Sequence, residues 1–103
     1  MKGRARVIVY LTVPETGPGA IEAAYHDISA RLADTPGLVR NELLRSALNP
    51  AGFAVLSEWE SMADFKAWEE GAEHRSATSP LRPFQDRASG ARHYGIYEVV
   101  AAY

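Results

Sequence analysis

His74 and Arg75 stand side by side a few residues beyond Trp59, Phe65 and Trp68, in the stretch SEWESMADFKAWEEGAEHR at residues 57–75. These residue types can do acid–base chemistry on an aromatic compound. An imidazole with a reference pKa near ~6.5 exchanges protons at neutral pH, so His74 is a candidate general base. The guanidinium of Arg75 can stabilise a phenolate or a developing oxyanion. Trp59, Phe65 and Trp68 are side chains of the kind that wall an apolar pocket. Each has a plainer reading as well. A histidine in the polar context AEHRS can cap a helix or face water. Arg75 can be a solvated charge, and Phe65 and Trp68 can simply fill a core.

Other chemistries find no support. There is no cysteine, which excludes disulfides, thiolate catalysis and cysteine-ligated metals. No two histidines are four residues apart and no carboxylate cluster completes a metal set. His26, beside Tyr25 and Asp27, reads as surface, and His93 as peripheral. Ser57 lacks the G-x-S-x-G surroundings of a nucleophile elbow, and no glycine-rich nucleotide loop is present. The chain carries a net charge of −2, and its 11 Lys and Arg are scattered, so no nucleic-acid partner is expected. No apolar run reaches the ~18 residues of a spanning helix, so no membrane partner is expected. The opening MKGRARVIVYLTV has the charge order of a signal peptide but runs into a Pro-Gly turn, so a cytoplasmic location is expected.

Four strands and two helices must position these residues. RARVIVYLTV at 4–13 is rich in β-branched and aromatic types and predicts a strand. One of its faces, Ala5, Val7, Val9, Leu11 and Val13, is wholly apolar and must be covered; the other carries Ile8 and Tyr10. PETGPG breaks it, and a helix over about 18–34 follows. Ile21, Ala24, Tyr25, Ile28 and Leu32 form that helix's apolar stripe. Residues 38–48 and 53–60 predict a hairpin with its turn at Asn49–Gly52. Ser61 is placed to cap a second helix over about 62–72, with Met62, Phe65, Trp68 and Ala72 on one face. Residues 73–79 suit a further helical turn, and 80–88 a short helix or loop that includes Phe84. Residues 92–101 predict the last strand. The β-α-β-β-α-β order is the ferredoxin-like split βαβ, an α+β domain over residues 1–103, with a four-stranded antiparallel sheet and helices on one face. The bare opposite face predicts a homodimer. Tyr10 and Tyr97, on the first and last strands, are expected to be neighbours able to grip a polar aromatic ligand.

The segment Leu56-Ser57-Glu58-Trp59-Glu60-Ser61, followed by Phe65, Trp68 and His74-Arg75-Ser76, resembles the antibiotic biosynthesis monooxygenase (ABM) family. The resemblance implies a dimeric α+β barrel, with two ferredoxin-like sheets face to face. It also implies a cavity between the sheet and helices of each protomer. Members include small oxygenases that turn anthrone-like aromatic polyketides into quinones without metal or flavin. Others degrade haem or process small quinols. Trp59 matches a tryptophan that ends the third strand in the anthrone-oxidising members. Val55 and Phe65 fall where those members carry a functional asparagine and tyrosine. Arg75 or Arg82 lies near the place of a later functional arginine. The haem-degrading branch has a first-strand asparagine and a histidine ten residues past the helix tryptophan; here that strand has no asparagine and Thr78 stands at the latter place. The expectation is therefore a cofactor-independent monooxygenase, taking a small aromatic substrate and dioxygen, in antibiotic or secondary-metabolite biosynthesis. Its expected catalytic residues are His74, Arg75 and Trp59. Its expected substrate-binding residues are Phe65, Trp68, Val55, Tyr10, Tyr97 and Phe84. The alternatives are a non-catalytic domain that binds an aromatic ligand or supports a partner enzyme, and a polyketide cyclase or isomerase on the same fold.

Overall fold

A computed structural model describes residues 3–71, 79–85 and 94–103. The elements run β1 (Ala5–Thr12), α1 (Gly19–Leu32), β2 (Leu38–Arg45), β3 (Gly52–Trp59), α2 (Met62–Glu70), a 3₁₀ helix (Ser79–Phe84) and β4 (Tyr94–Glu98). The four strands form one antiparallel sheet in the order β2-β3-β1-β4. This is the ferredoxin-like arrangement expected from the element order. Residues 73–79, expected to add a helical turn, lie mostly outside the described residues. Among the described residues no helix is long and apolar enough to cross a membrane.

Strand alternation sorts the side chains between two faces. On the inner face of β1, Ala5, Val7 and Leu11 are buried, with Val9 and Val13 partly so. α1 lays its predicted stripe against this face, with Ile21, Ile28 and Leu32 buried. α2 begins at Ser61, whose hydroxyl accepts the Asp64 N–H at 3.1 Å, an N-cap as the sequence predicts. It ends at Gly71, whose extended backbone returns its N–H to the Trp68 carbonyl. Two adjoining apolar clusters result. One centres on Leu11, Ile21, Ile28, Phe53, Val55 and Leu81; the other is Ala5, Val7, Trp59 and Phe65.

Two local features differ from the expected pattern. β2 stops at Arg45 because the Ser46 hydroxyl captures the N–H groups of Leu48 and Asn49, at 3.2 and 3.0 Å. Asn49 Oδ1 then accepts the Ala51 N–H, so the loop runs over 46–51 rather than starting at Asn49. The second feature is a bulge. Leu38 pairs with Trp59 and Arg40 with Glu58, so Val39 is an extra residue. The bulge reverses the alternation, leaving Leu38 on the inner face and Arg40 on the outer one.

The outer face carries a charged row at one end. Arg40, Glu58, Arg6 and Tyr97 lie opposite one another across the four strands. Glu58 is almost buried between the two guanidinium groups, at 3.0 Å from Arg40 and 3.8 Å from Arg6. Tyr97 folds back over Gly95, where an added Cβ would fall 2.7 Å from its ring. The rest of the face is largely apolar, with Ile8, Tyr10, Leu44, Ala54 and Leu56. No element of the described chain covers it.

Candidate functional site

A cavity of about 370 Å³ opens between the inner sheet face and the helices. Its size lies within the range of small-molecule pockets, roughly 300–1,000 Å³. The floor is Val7 and Val9 of β1, Val55, Ser57 and Trp59 of β3, and Asn41 of β2. α1 contributes Ile28 and Leu32. α2 contributes Phe65, Trp68 and Glu69, the 3₁₀ helix brings Leu81 and Arg82, and Gln85 follows directly after it. Tyr94 and Ile96 of β4 complete the wall.

The aromatic part of this wall is a packed triad. Trp59 lies 5.2 Å from Trp68 and 5.5 Å from Phe65, centroid to centroid, and Phe65 lies 6.1 Å from Trp68. The Trp59–Phe65 pair is edge-to-face, the favoured arrangement of ring quadrupoles. Trp59 is 1% exposed, so it serves core and cavity at once. Its indole N–H donates to Ser57 Oγ at 3.0 Å.

Four of the expected site residues, Val55, Trp59, Phe65 and Trp68, are therefore brought together. Tyr10 and Tyr97 are not. The pleat that turns Val9 and Ile96 inward turns Tyr10 and Tyr97 outward, where they are 41% and 58% exposed. Nor do they face each other, since Tyr97 pairs with Arg6 and β4 is an edge strand. Phe84 is half-buried and packs on the larger core cluster without lining the cavity. His74 and Arg75 lie outside the described residues. Among the described residues, no group of three His, Cys, Asp or Glu is placed to hold a metal ion.

Sequence reasoning did not single out Asn41, Ser57, Gln85 or Tyr94 as lining residues. Ser57 was within reach, because it alternates with Val55 and Trp59. Asn41 was not, because its face follows from the register of the β2–β3 hairpin, which the loop over 46–51 sets and a turn at 49–52 would reverse.

The sequence profile described as antibiotic biosynthesis monooxygenase matches residues 4–79. "Protein SchA" of Streptomyces halstedii is 32% identical over 98 residues, which is 95% of this chain and 26% of that protein. The "42.8 kDa protein in whiE locus" of Streptomyces coelicolor is 38% identical over 78 residues, or 76% of this chain and 20% of that protein. The chain thus spans about a quarter or less of the length of these curated relatives. Among solved structures, SnoaB, a cofactor-independent oxygenase from Streptomyces nogalater, is similar at a TM-score of 0.75. It is 18% identical, with 97% of this chain and 96% of that chain covered. A putative antibiotic biosynthesis monooxygenase from Bordetella bronchiseptica also gives 0.75, at 14% identity, covering 99% of this chain and 100% of that chain. At these identities the two structures speak to the fold.

Proposed function

The chain belongs to the antibiotic biosynthesis monooxygenase family, and from that membership we propose a cofactor-independent monooxygenase that oxidises an anthrone- or phenol-type aromatic polyketide to a quinone. The observation that carries this reading is the aromatic-walled cavity between sheet and helices, formed by Trp59, Phe65, Trp68 and Val55. The resemblance of SnoaB in fold adds a relative with cofactor-independent oxygenase activity.

The proposed reaction is substrate plus O₂ giving quinone plus water. A base removes a C–H or phenolic proton. The carbanion passes one electron to dioxygen, and the two radicals combine to a peroxide. Loss of water leaves one oxygen atom as the new carbonyl and sends the other to water. A dry cavity, a base and a stabiliser for oxyanion charge are what this chemistry asks of a protein. His74 is the proposed base and Arg75 the proposed stabiliser, with Trp59 against the ring.

The test is oxygen uptake by metal-free protein across a panel of anthrones. Acceleration over buffer is expected, and His74→Ala should lower it by roughly 10²–10⁴-fold, the usual contribution of a positioned base. No acceleration on any anthrone would sink the reading.

A second reading is favoured by one observation. Val55 and Phe65 present only hydrocarbon to the cavity, where the resemblance implies polar groups. On that reading the domain holds an aromatic ligand without turning it over. Binding then survives His74→Ala and Arg75→Ala, and no variant changes oxygen uptake. A cyclase or isomerase would instead yield a product of unchanged oxygen content.

We also propose that a second copy covers the outer sheet face. Ile8, Tyr10, Leu44 and Leu56 are an apolar group of the kind that marks an interface. Sedimentation equilibrium should give a dimer, and Tyr10→Glu should shift it to a monomer. A native chain that sediments as a monomer contradicts this.

A further inference from the structure

We propose that Ser57 and Asn41 form a paired hydrogen-bond donor site that holds one phenol or carbonyl oxygen of the aromatic ligand. Asn41 on β2 and Ser57 on β3 are direct cross-strand partners, and both line the cavity. Side chains so placed have Cβ atoms about 4.5–5.5 Å apart.

The donor inventory fixes what each can offer. The Trp59 indole N–H is a donor only, and it donates to Ser57 Oγ. The single hydroxyl hydrogen of Ser57 must therefore point elsewhere, and it makes no hydrogen bond among the described residues. Asn41 is held from three directions. Its Oδ1 accepts from the Ser29 hydroxyl at 3.2 Å, its backbone carbonyl accepts from the Tyr25 hydroxyl at 3.2 Å, and its strand pairs with β3. With the side-chain oxygen used, its two amide hydrogens remain, and they too make no hydrogen bond among the described residues. Ser29 and Trp59 thus each occupy an acceptor and leave donor hydrogens on two cavity-lining residues. Around them the floor is Val7, Val9 and Val55. Each hydrogen bond to an oxygen atom in such surroundings is electrostatically stronger than the same bond in water. An anionic oxygen gains most, because charge-assisted bonds are roughly twice as strong as neutral ones.

This deepens the oxygenase reading and rests on it only for the ligand's being a phenol or anthrone. The probe pair is 2-naphthol and naphthalene, which differ by one oxygen, titrated by calorimetry. Naphthol is expected to bind more tightly. Asn41→Leu and Ser57→Ala should each weaken naphthol about 3–10-fold, in line with one lost hydrogen bond, while naphthalene binds at least as tightly as before. Asn41→Asp replaces a donor with a charged acceptor and should raise the pH at which bound naphthol ionises. Undiminished naphthalene binding also shows that each variant keeps a folded cavity. Equal affinity for the two probes in the native protein overturns the proposal, as does undiminished naphthol binding in both single variants. The two readings fail separately. Naphthol discrimination without oxygen uptake keeps the donor pair and ends the oxygenase, and oxygen uptake without discrimination does the reverse.

Discussion

Replacing Trp59 by alanine is expected to lower the unfolding free energy by about 3–5 kcal/mol, the range for deleting a large buried aromatic. Trp59 is 1% exposed and lies between Ala5 and Leu38, its partners on the flanking strands. Ala5, itself fully buried, is small enough to leave room for the indole. Phe65 and Trp68 close over it from α2. Removing the ring therefore takes the shared contact from β1, β2, β3 and α2 together. Domains of this size hold only about 5–15 kcal/mol in total, so the loss is a large fraction. Urea unfolding followed by circular dichroism measures it. A loss below about 1 kcal/mol would mean that the cluster is not the clamp described. Trp59→Phe keeps most of the packing but deletes the N–H that Ser57 accepts. It should cost less stability than alanine while altering naphthol binding, separating the indole's two roles.

Gly37→Ala is expected to cost about 2–4 kcal/mol, from two separate sources. Gly37 has φ +82, a left-handed conformation that a side chain disfavours. An added Cβ would also fall against Cβ of Asp64 and within 2.6 Å of its Cγ. Those atoms cannot swing away freely. Asp64 sits in the first turn of α2, where its N–H is capped by Ser61 and its carboxylate accepts the Ser61 hydroxyl at 3.0 Å. The Gly37 carbonyl in turn accepts the Glu60 N–H at 2.8 Å. This close approach docks the start of β2 against the start of α2, and α2 carries Phe65 and Trp68. Gly17→Ala is the matched control. Its φ is +101 but nothing lies within 4 Å of the added Cβ, so only the backbone cost of about 1–2 kcal/mol is expected. Equal losses at the two positions, by chemical denaturation, would show that the contact with Asp64 does not matter.

What could be read in the sequence was what local periodicity controls. The covered face of β1, the stripe of α1, the Ser61 cap and the inward turn of Phe65 and Trp68 all follow from a period of 2 or 3.6 within one element. The aromatic side of the cavity was legible for the same reason. What escaped depended on pairing between elements. The loop over 46–51, longer than the turn expected at 49–52, sets the register of β2 on β3 and so the face of Asn41. Tyr10 and Tyr97 were ligand candidates because the first and last strands are neighbours, although alternation already turns Tyr10 away from the covered Val7 and Val9 face. The register that sets Tyr97 opposite Arg6, and the fold of its ring over Gly95, are tertiary facts. The early end of β2 came from a serine hydroxyl competing for backbone N–H groups, a signal easily mistaken for continued strand.

The most direct measurement of the central claim is the fate of labelled dioxygen. Metal-free protein would be given an anthrone under ¹⁸O₂ and the quinone analysed by mass spectrometry. One ¹⁸O atom per quinone is the expected result, with the other oxygen atom leaving as water and His74→Ala suppressing the labelled product. A quinone formed no faster than in buffer, or a product whose new oxygen comes from water, would contradict the assignment.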